Sequence, residues 1–102
     1  MQTVLIAGAT GYLGRHLVKE YAQRGWHVRA LVRNAESAIA TGLGEHDYVT
    51  AEATQPDTLM GLMEGADLVI SSLGITRQKD GLTYRAVDYQ ANLNLLREAE
   101  RS

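Results

Sequence analysis

The fold class this sequence predicts is α/β: one parallel sheet, with strand and helix alternating as β-α-β-α-β-α-β-α and helices on both faces. Three observations predict it. Short, continuously apolar runs bounded by glycine recur along the chain, as they do in strands buried on both faces. Between them lie amphipathic stretches whose apolar residues return every three or four positions. At the first strand-to-helix junction, "GATGYLG" at residues 8–14 places three glycines at a spacing of three. With 102 residues the chain forms at most one domain, 1–102, long enough for a real core.

The elements follow in order. "TVLIA", Thr3–Ala7, is a β-branched and aliphatic run and reads as a buried strand. Over residues 12–24, Leu13, Leu17, Val18 and Tyr21 make an apolar stripe among Arg15, Lys19, Glu20 and Arg24, which predicts a helix packed on a sheet and ended by Gly25. "HVRALV", His27–Val32, is a second strand with Val28, Ala30 and Val32 on one face. "NAESAIA" predicts a short helical piece with Asn34 as N-cap, and "GLGEHD" a loop. "YVTAEA" predicts a third strand. In "TQPDTLMGLMEG", Thr54 is a cap candidate, Pro56 falls in a first helical turn, and Leu59, Leu62 and Met63 form a stripe, so a helix is expected. "ADLVISSLG" predicts the fourth strand and "GITRQKDG" a polar loop. A last helix over "LTYRAVDYQANLNLLREAERS" carries Tyr84, Val87, Ala91 and Leu95 at helical spacing.

Right-handed crossovers between such strands predict the order 3-2-1-4, with a switch point beside the first strand. The loops after strands one and four then flank a crevice at their carboxyl ends. In the glycine-rich turn, Gly8 permits the sharp exit from the strand, Gly11 lets the backbone approach a pyrophosphate, and Gly14 lets the helix pack close. The amides of Tyr12 and Leu13, at the helix N-terminus, can donate to phosphate oxygens where the macrodipole favours negative charge. The candidate cradle is therefore Gly8, Thr10, Gly11, Tyr12, Leu13 and Gly14. Its position after a strand and before a helix is the context that gives a glycine triplet this meaning.

Composition narrows the alternatives. Ten Lys plus Arg against twelve Asp plus Glu give a net charge of −2 with no basic block, which argues against a nucleic-acid partner. There is no cysteine, and His16, His27 and His46 share no metal-ligand spacing, so no metal is expected. The N-terminus lacks a charged leader, and no apolar run approaches the length of about eighteen residues that spans a bilayer, so the cytoplasm is the expected location, with no membrane partner.

With the strand, the G-x-x-G-x-x-G turn and the helix in place, "VLIAGATGYLGRHLVKEYAQRGWHVRALVRN" resembles the opening of the short-chain dehydrogenase/reductase superfamily, especially its extended and atypical NmrA-like and isoflavone-reductase-like members. The resemblance runs from Thr3 to the end of the last helix and implies a Rossmann-like NAD(P)-binding domain. In that family the segment is the N-terminal part of a domain more than twice this length, so a truncated fragment or a short stand-alone module is expected. Arg33 closes the second strand, where an acid would bond a ribose 2′-hydroxyl and a base can hold a 2′-phosphate. The resemblance of "LVRN" implies NADP, with NAD possible; the plain alternative is a solvated arginine at a strand end. "AEATQP" stands where the family has "G-D-x-T-D-P", placing Glu52 and Ala53 near the adenine, although a polar residue at a strand end needs no ligand. "SSLGITR" matches the loop passing under the ribose and nicotinamide, which puts Leu73 and Gly74 at backbone contacts, Gly74 being equally a plain turn residue. "VDYQANLNLL" resembles "V-N-V-x-G-T-x-N-L-L", with Asp88 in place of the first Asn, Ala91 in place of Gly, and Asn94 as the second Asn.

Catalysis in this superfamily uses a Tyr with a Lys four residues later, the Lys lowering the phenol pKa. The residues four beyond Tyr12, Tyr21, Tyr48, Tyr84 and Tyr89 are His16, Gly25, Glu52, Asp88 and Leu93, so no catalytic residue is assigned. Two functions remain: the cofactor-binding portion of an oxidoreductase or epimerase, and a non-catalytic, NmrA-like dinucleotide-sensing or regulatory module. A weaker third keeps only the fold, as an interaction domain. A sheet ending at the fourth strand leaves an apolar edge, which predicts either a truncated fragment or self-association through that edge, as a dimer formed by paired edge strands or swapped helices.

Overall fold

The computed structural model describes residues 2–33, 46–72 and 81–101, the last stretch with side chains from Gln90 onward. Its four strands are β1 (Thr3–Ala7), β2 (His27–Val32), β3 (Asp47–Thr50) and β4 (Leu68–Ser71), in one sheet of order β3-β2-β1-β4. Every pairing is parallel, with Val4 opposite both Val28 and Leu68, and Val32 opposite Thr50. The predicted Rossmann-like order 3-2-1-4 is the observed one.

β1 is central and its Val4, Leu5, Ile6 and Ala7 are fully buried, because alternate residues enter different cores. On one face Val4 and Ile6 join Val28, Ala30, Val32 and Val18 of helix α1 (Tyr12–Gln23). On the other, Leu5, Ala7 and Leu31 join Leu59, Met63 and, from helix α2 (Gly81–Arg101), Ala91 and Leu95. Each large aliphatic side chain buried here contributes about 1.5–3 kcal/mol, so the two cores are comparable anchors for the strands. Tyr84 and Val87 of the predicted stripe lie outside the described side chains, as does the helical piece expected at 34–40 outside the described residues. Among the described residues no helix is long and apolar enough to cross a membrane.

α1 ends one residue before its predicted limit, in a Schellman motif. Trp26 N–H donates to Tyr21 O at 3.0 Å and Gly25 N–H to Ala22 O at 3.1 Å, with Gly25 at φ +87°. The hydrophobic contact that accompanies this motif is the Trp26 ring edge-on to Tyr21, centroids 5.2 Å apart.

The helix expected over 54–65 does not form. Only a 3₁₀ turn, Pro56–Leu59, is helical, and Thr54 does not cap it: the N-cap is Gln55, and the Thr54 hydroxyl turns to Glu52 instead. Met60 (φ −58°, ψ 126°) and Gly61 (φ +77°), closed by Leu62 N–H to Leu59 O at 3.1 Å, have the dihedrals of a type II turn. Two charged side chains from elsewhere favour the turn over a helix. Glu98 of α2, buried, accepts the Gly61 N–H at 3.1 Å, and Arg29 of β2 donates to the carbonyls of Leu62 (2.7 Å) and Glu64 (2.9 Å). Leu59 and Met63 are buried all the same, so the stripe identified the right core residues in the wrong conformation. β3 is also displaced and shorter than "YVTAEA": past Thr50 a single further bond, Ala51 N–H to Val32 O, extends the pairing before the chain turns away, with Ala51 and Ala53 in the α2-side core.

Candidate functional site

Because all four strands run the same way, the residues that follow them gather at one edge of the sheet. The turn after β1 is built by backbone contact. Gly8 sits at φ +76°, a conformation that costs a side-chain-bearing residue about 1–2 kcal/mol, and its carbonyl accepts the Gly11 N–H at 3.1 Å. A Cβ on Gly14 would lie 1.9 Å from Gly8 O and 2.7 Å from Gly8 C, so the first turn of α1 rests on the strand exit as closely as atoms allow.

Gly11 differs. It is the N-cap of α1 in extended conformation (φ −75°, ψ 172°), open to any residue, and a Cβ there would meet only Gly8 O at 3.5 Å, an ordinary contact. The chain's own packing thus gives no reason for glycine at this position. A ligand lying on the turn would supply one, since a Cβ would fill the space above it. Gly11 offers no side-chain cap and the first turn of α1 carries no acid, so the amides of Tyr12 and Leu13 and the positive end of the helix stay available to an anion. Thr10, Gly11, Tyr12 and Leu13 are all exposed around that end, and Tyr12 leans edge-on against His16 with centroids 4.7 Å apart.

Beside this turn, β4 hands over to Ser72, a residue with no role in the sequence-level account. Its N–H donates to Ala7 O at 3.0 Å, and its hydroxyl lies 2.7 Å from Ala7 O and 3.1 Å from Gly8 O. Ser72 therefore ties the end of β4 to the carbonyls that open the glycine turn. Ser71 donates to Asn92 Oδ1 of α2. Leu73 and Gly74 lie outside the described residues.

At the far side of the edge, Arg33 follows β2 and Glu52 lies two residues past β3. The Ala51 N–H donates to Val32 O at 3.0 Å, continuing the β2–β3 pairing and bringing the two residues side by side. Arg33 Nε lies 3.0 Å from Glu52 Oε2, while Glu52 Oε1 accepts the Thr54 hydroxyl at 3.1 Å. Ala53 points the other way: it is buried, and its carbonyl accepts Asn94 Nδ2 at 2.8 Å. Asn94, itself buried, accepts from Gln90 Nε2 at 2.7 Å. Its position in the helix pattern marks a tie between α2 and the exit of β3. Tyr48 on β3 is half-buried, and burial raises its phenol above the ordinary value, away from ionisation at neutral pH.

The edge thus offers a helix N-terminus with uncapped amides, a serine at the end of β4 that braces the glycine turn, and a basic residue at the end of β2, an arrangement that could take an elongated phosphate-bearing ligand. Comparison with known proteins places the chain in a family. A 99-residue alignment gives 34% identity to the photosystem II assembly factor Ycf39 of Synechocystis sp., covering 97% of this chain and 30% of that protein. Ceramide reductase of Caulobacter vibrioides is 40% identical over 76 residues, 74% of this chain and 24% of that one. The chain therefore spans less than a third of either relative's length. A crystal structure of a short-chain type dehydrogenase/reductase from Mycobacterium marinum superposes with a TM-score of 0.81 at 19% identity, over 98% of this chain and 49% of that one, which shows the shared fold. The profile of the NAD(P)H-binding family matches residues 8–101, from the first glycine of the turn to the last described residue of α2, and the chain belongs to that family, with the parallel Rossmann-like sheet described above.

Proposed function

We propose that this chain binds NADP(H), with the pyrophosphate over Gly11 and the Tyr12 and Leu13 amides and the adenosine 2′-phosphate toward Arg33, as the cofactor-binding portion of an oxidoreductase or epimerase. The observation that carries the reading is Gly11, a glycine that the chain's own packing does not require and a pyrophosphate does. Arg33 supports NADP over NAD because its guanidinium sits at the end of β2 with its side chain 78% exposed. Similarity to a ceramide reductase supports the oxidoreductase assignment. Similarity to a photosystem II assembly factor favours a second reading, in which the same site senses or responds to dinucleotide without turnover. Self-association belongs to this proposal too, through β4, an edge strand of the described sheet whose Leu68 is exposed.

Calorimetric titration with NADPH and NADH tests the central reading. Saturable binding of both is expected, tighter for NADPH, and Arg33→Asp is expected to erase or reverse that preference. Binding of neither dinucleotide would overturn the proposal, while an unchanged preference in Arg33→Asp would remove the 2′-phosphate role alone.

A further inference from the structure

We propose that Glu52 sets the cofactor preference of this site by holding Arg33, so that the pair, and not Arg33 alone, decides how strongly a 2′-phosphorylated dinucleotide is favoured. The inference rests on the dinucleotide reading above. Register makes the pair: Val32 lies opposite Thr50, the Ala51 N–H bonds Val32 O at 3.0 Å, and the ladder's continuation delivers Arg33 and Glu52 to the same corner of the sheet edge. The carboxylate is held in place from its own side. Glu52 N–H meets Thr58 Oγ1 at 3.0 Å, Thr58 Oγ1 lies 2.9 Å from Glu52 O, and the Thr54 hydroxyl donates to Oε1 at 3.1 Å. Oε2 then receives Arg33 Nε at 3.0 Å.

The electrostatic consequence has a definite sign. A guanidinium has five N–H donors in a planar fork, and an ion pair through Nε leaves the Nη edge to meet a phosphate. Glu52 therefore does not block Arg33. It does place a negative charge next to the cation at the end of β2 that a 2′-phosphate would seek, so an incoming phosphate meets a partly neutralised arginine and a like charge behind it. A dinucleotide with a 2′-hydroxyl carries no such group and is indifferent to this term. Glu52 thus moderates the preference for NADP that Arg33 creates. Exposure of the Arg33 side chain to 78% keeps the effect screened and moderate.

The test is a four-way titration with NADPH and NADH on the intact chain, Glu52→Gln, Arg33→Met and the double variant, read as the ratio of the two dissociation constants. Any adenine contact made by Glu52 affects both dinucleotides alike and cancels in the ratio. Glu52→Gln is expected to raise the preference for NADPH by about threefold to tenfold at low salt, less at high salt, and to raise it no further in the Arg33→Met background. A ratio that is unchanged or falls in Glu52→Gln, or that rises equally without Arg33, overturns the inference while leaving dinucleotide binding intact. A wild-type chain that binds neither dinucleotide overturns the underlying reading and the inference with it.

Discussion

Two ends of one sheet edge are held by different kinds of contact. After β1, the turn from Gly8 to Gly14 is shaped backbone against backbone, with a would-be Cβ on Gly14 only 1.9 Å from Gly8 O and the Ser72 hydroxyl bracing the same carbonyls. After β2 and β3, the edge is completed by side chains, Arg33 and Glu52, 78% and 31% exposed and joined at 3.0 Å. Contacts of the first kind leave no alternative residue, because displacing a backbone carbonyl moves the strand it belongs to. Those of the second kind can be rearranged at little cost, since an exposed ion pair contributes about 0–1 kcal/mol. The turn is therefore suited to fixing where a ligand's phosphates lie, and the far corner to adjusting which ligand is preferred.

Breaking the rigid end should have the largest effect. Gly14→Ala forces a Cβ into Gly8 O, Gly8 C and Ala9 Cα, all backbone, and is expected to cost about 3 kcal/mol or more, measured as a lowered midpoint in urea unfolding. An unchanged midpoint would mean that α1 does not rest on the strand exit as described. Ser72→Ala should act at the same end more gently. Ala7 O keeps the Ser72 N–H, Gly8 O loses the hydroxyl, and a loss of about 1 kcal/mol is expected by the same measurement. A variant as stable as the parent would show that the turn needs no brace from β4.

The same contrast explains what was legible in the sequence. Strand order, the two buried faces of β1 and the glycine turn follow from residue type alone, since continuous apolar runs and obligatory glycines admit few other structures. The segment after β3 misled for a physical reason. Leu59 and Met63 have a helical spacing, but the Met60–Gly61 turn is rewarded by Glu98 and Arg29, which come from α2 and β2 and leave no trace in the local pattern. The Ser72 brace and the Asn94 bond to Ala53 O were equally invisible, each joining residues more than forty positions apart. Arg33 and Glu52 were each identified at a strand end, yet their pairing required the β2–β3 register, which periodicity does not encode.

Gly11 separates ligand from fold most cleanly, because it sits at the rigid end without being needed there. Gly11→Val is expected to change unfolding stability by about 1 kcal/mol or less, as an N-cap exchange in an allowed conformation. In parallel calorimetric titrations it is expected to weaken NADPH binding by about tenfold or more, since its side chain would stand where the proposed pyrophosphate would lie. A folded Gly11→Val chain that binds NADPH as the parent does would contradict the pyrophosphate cradle.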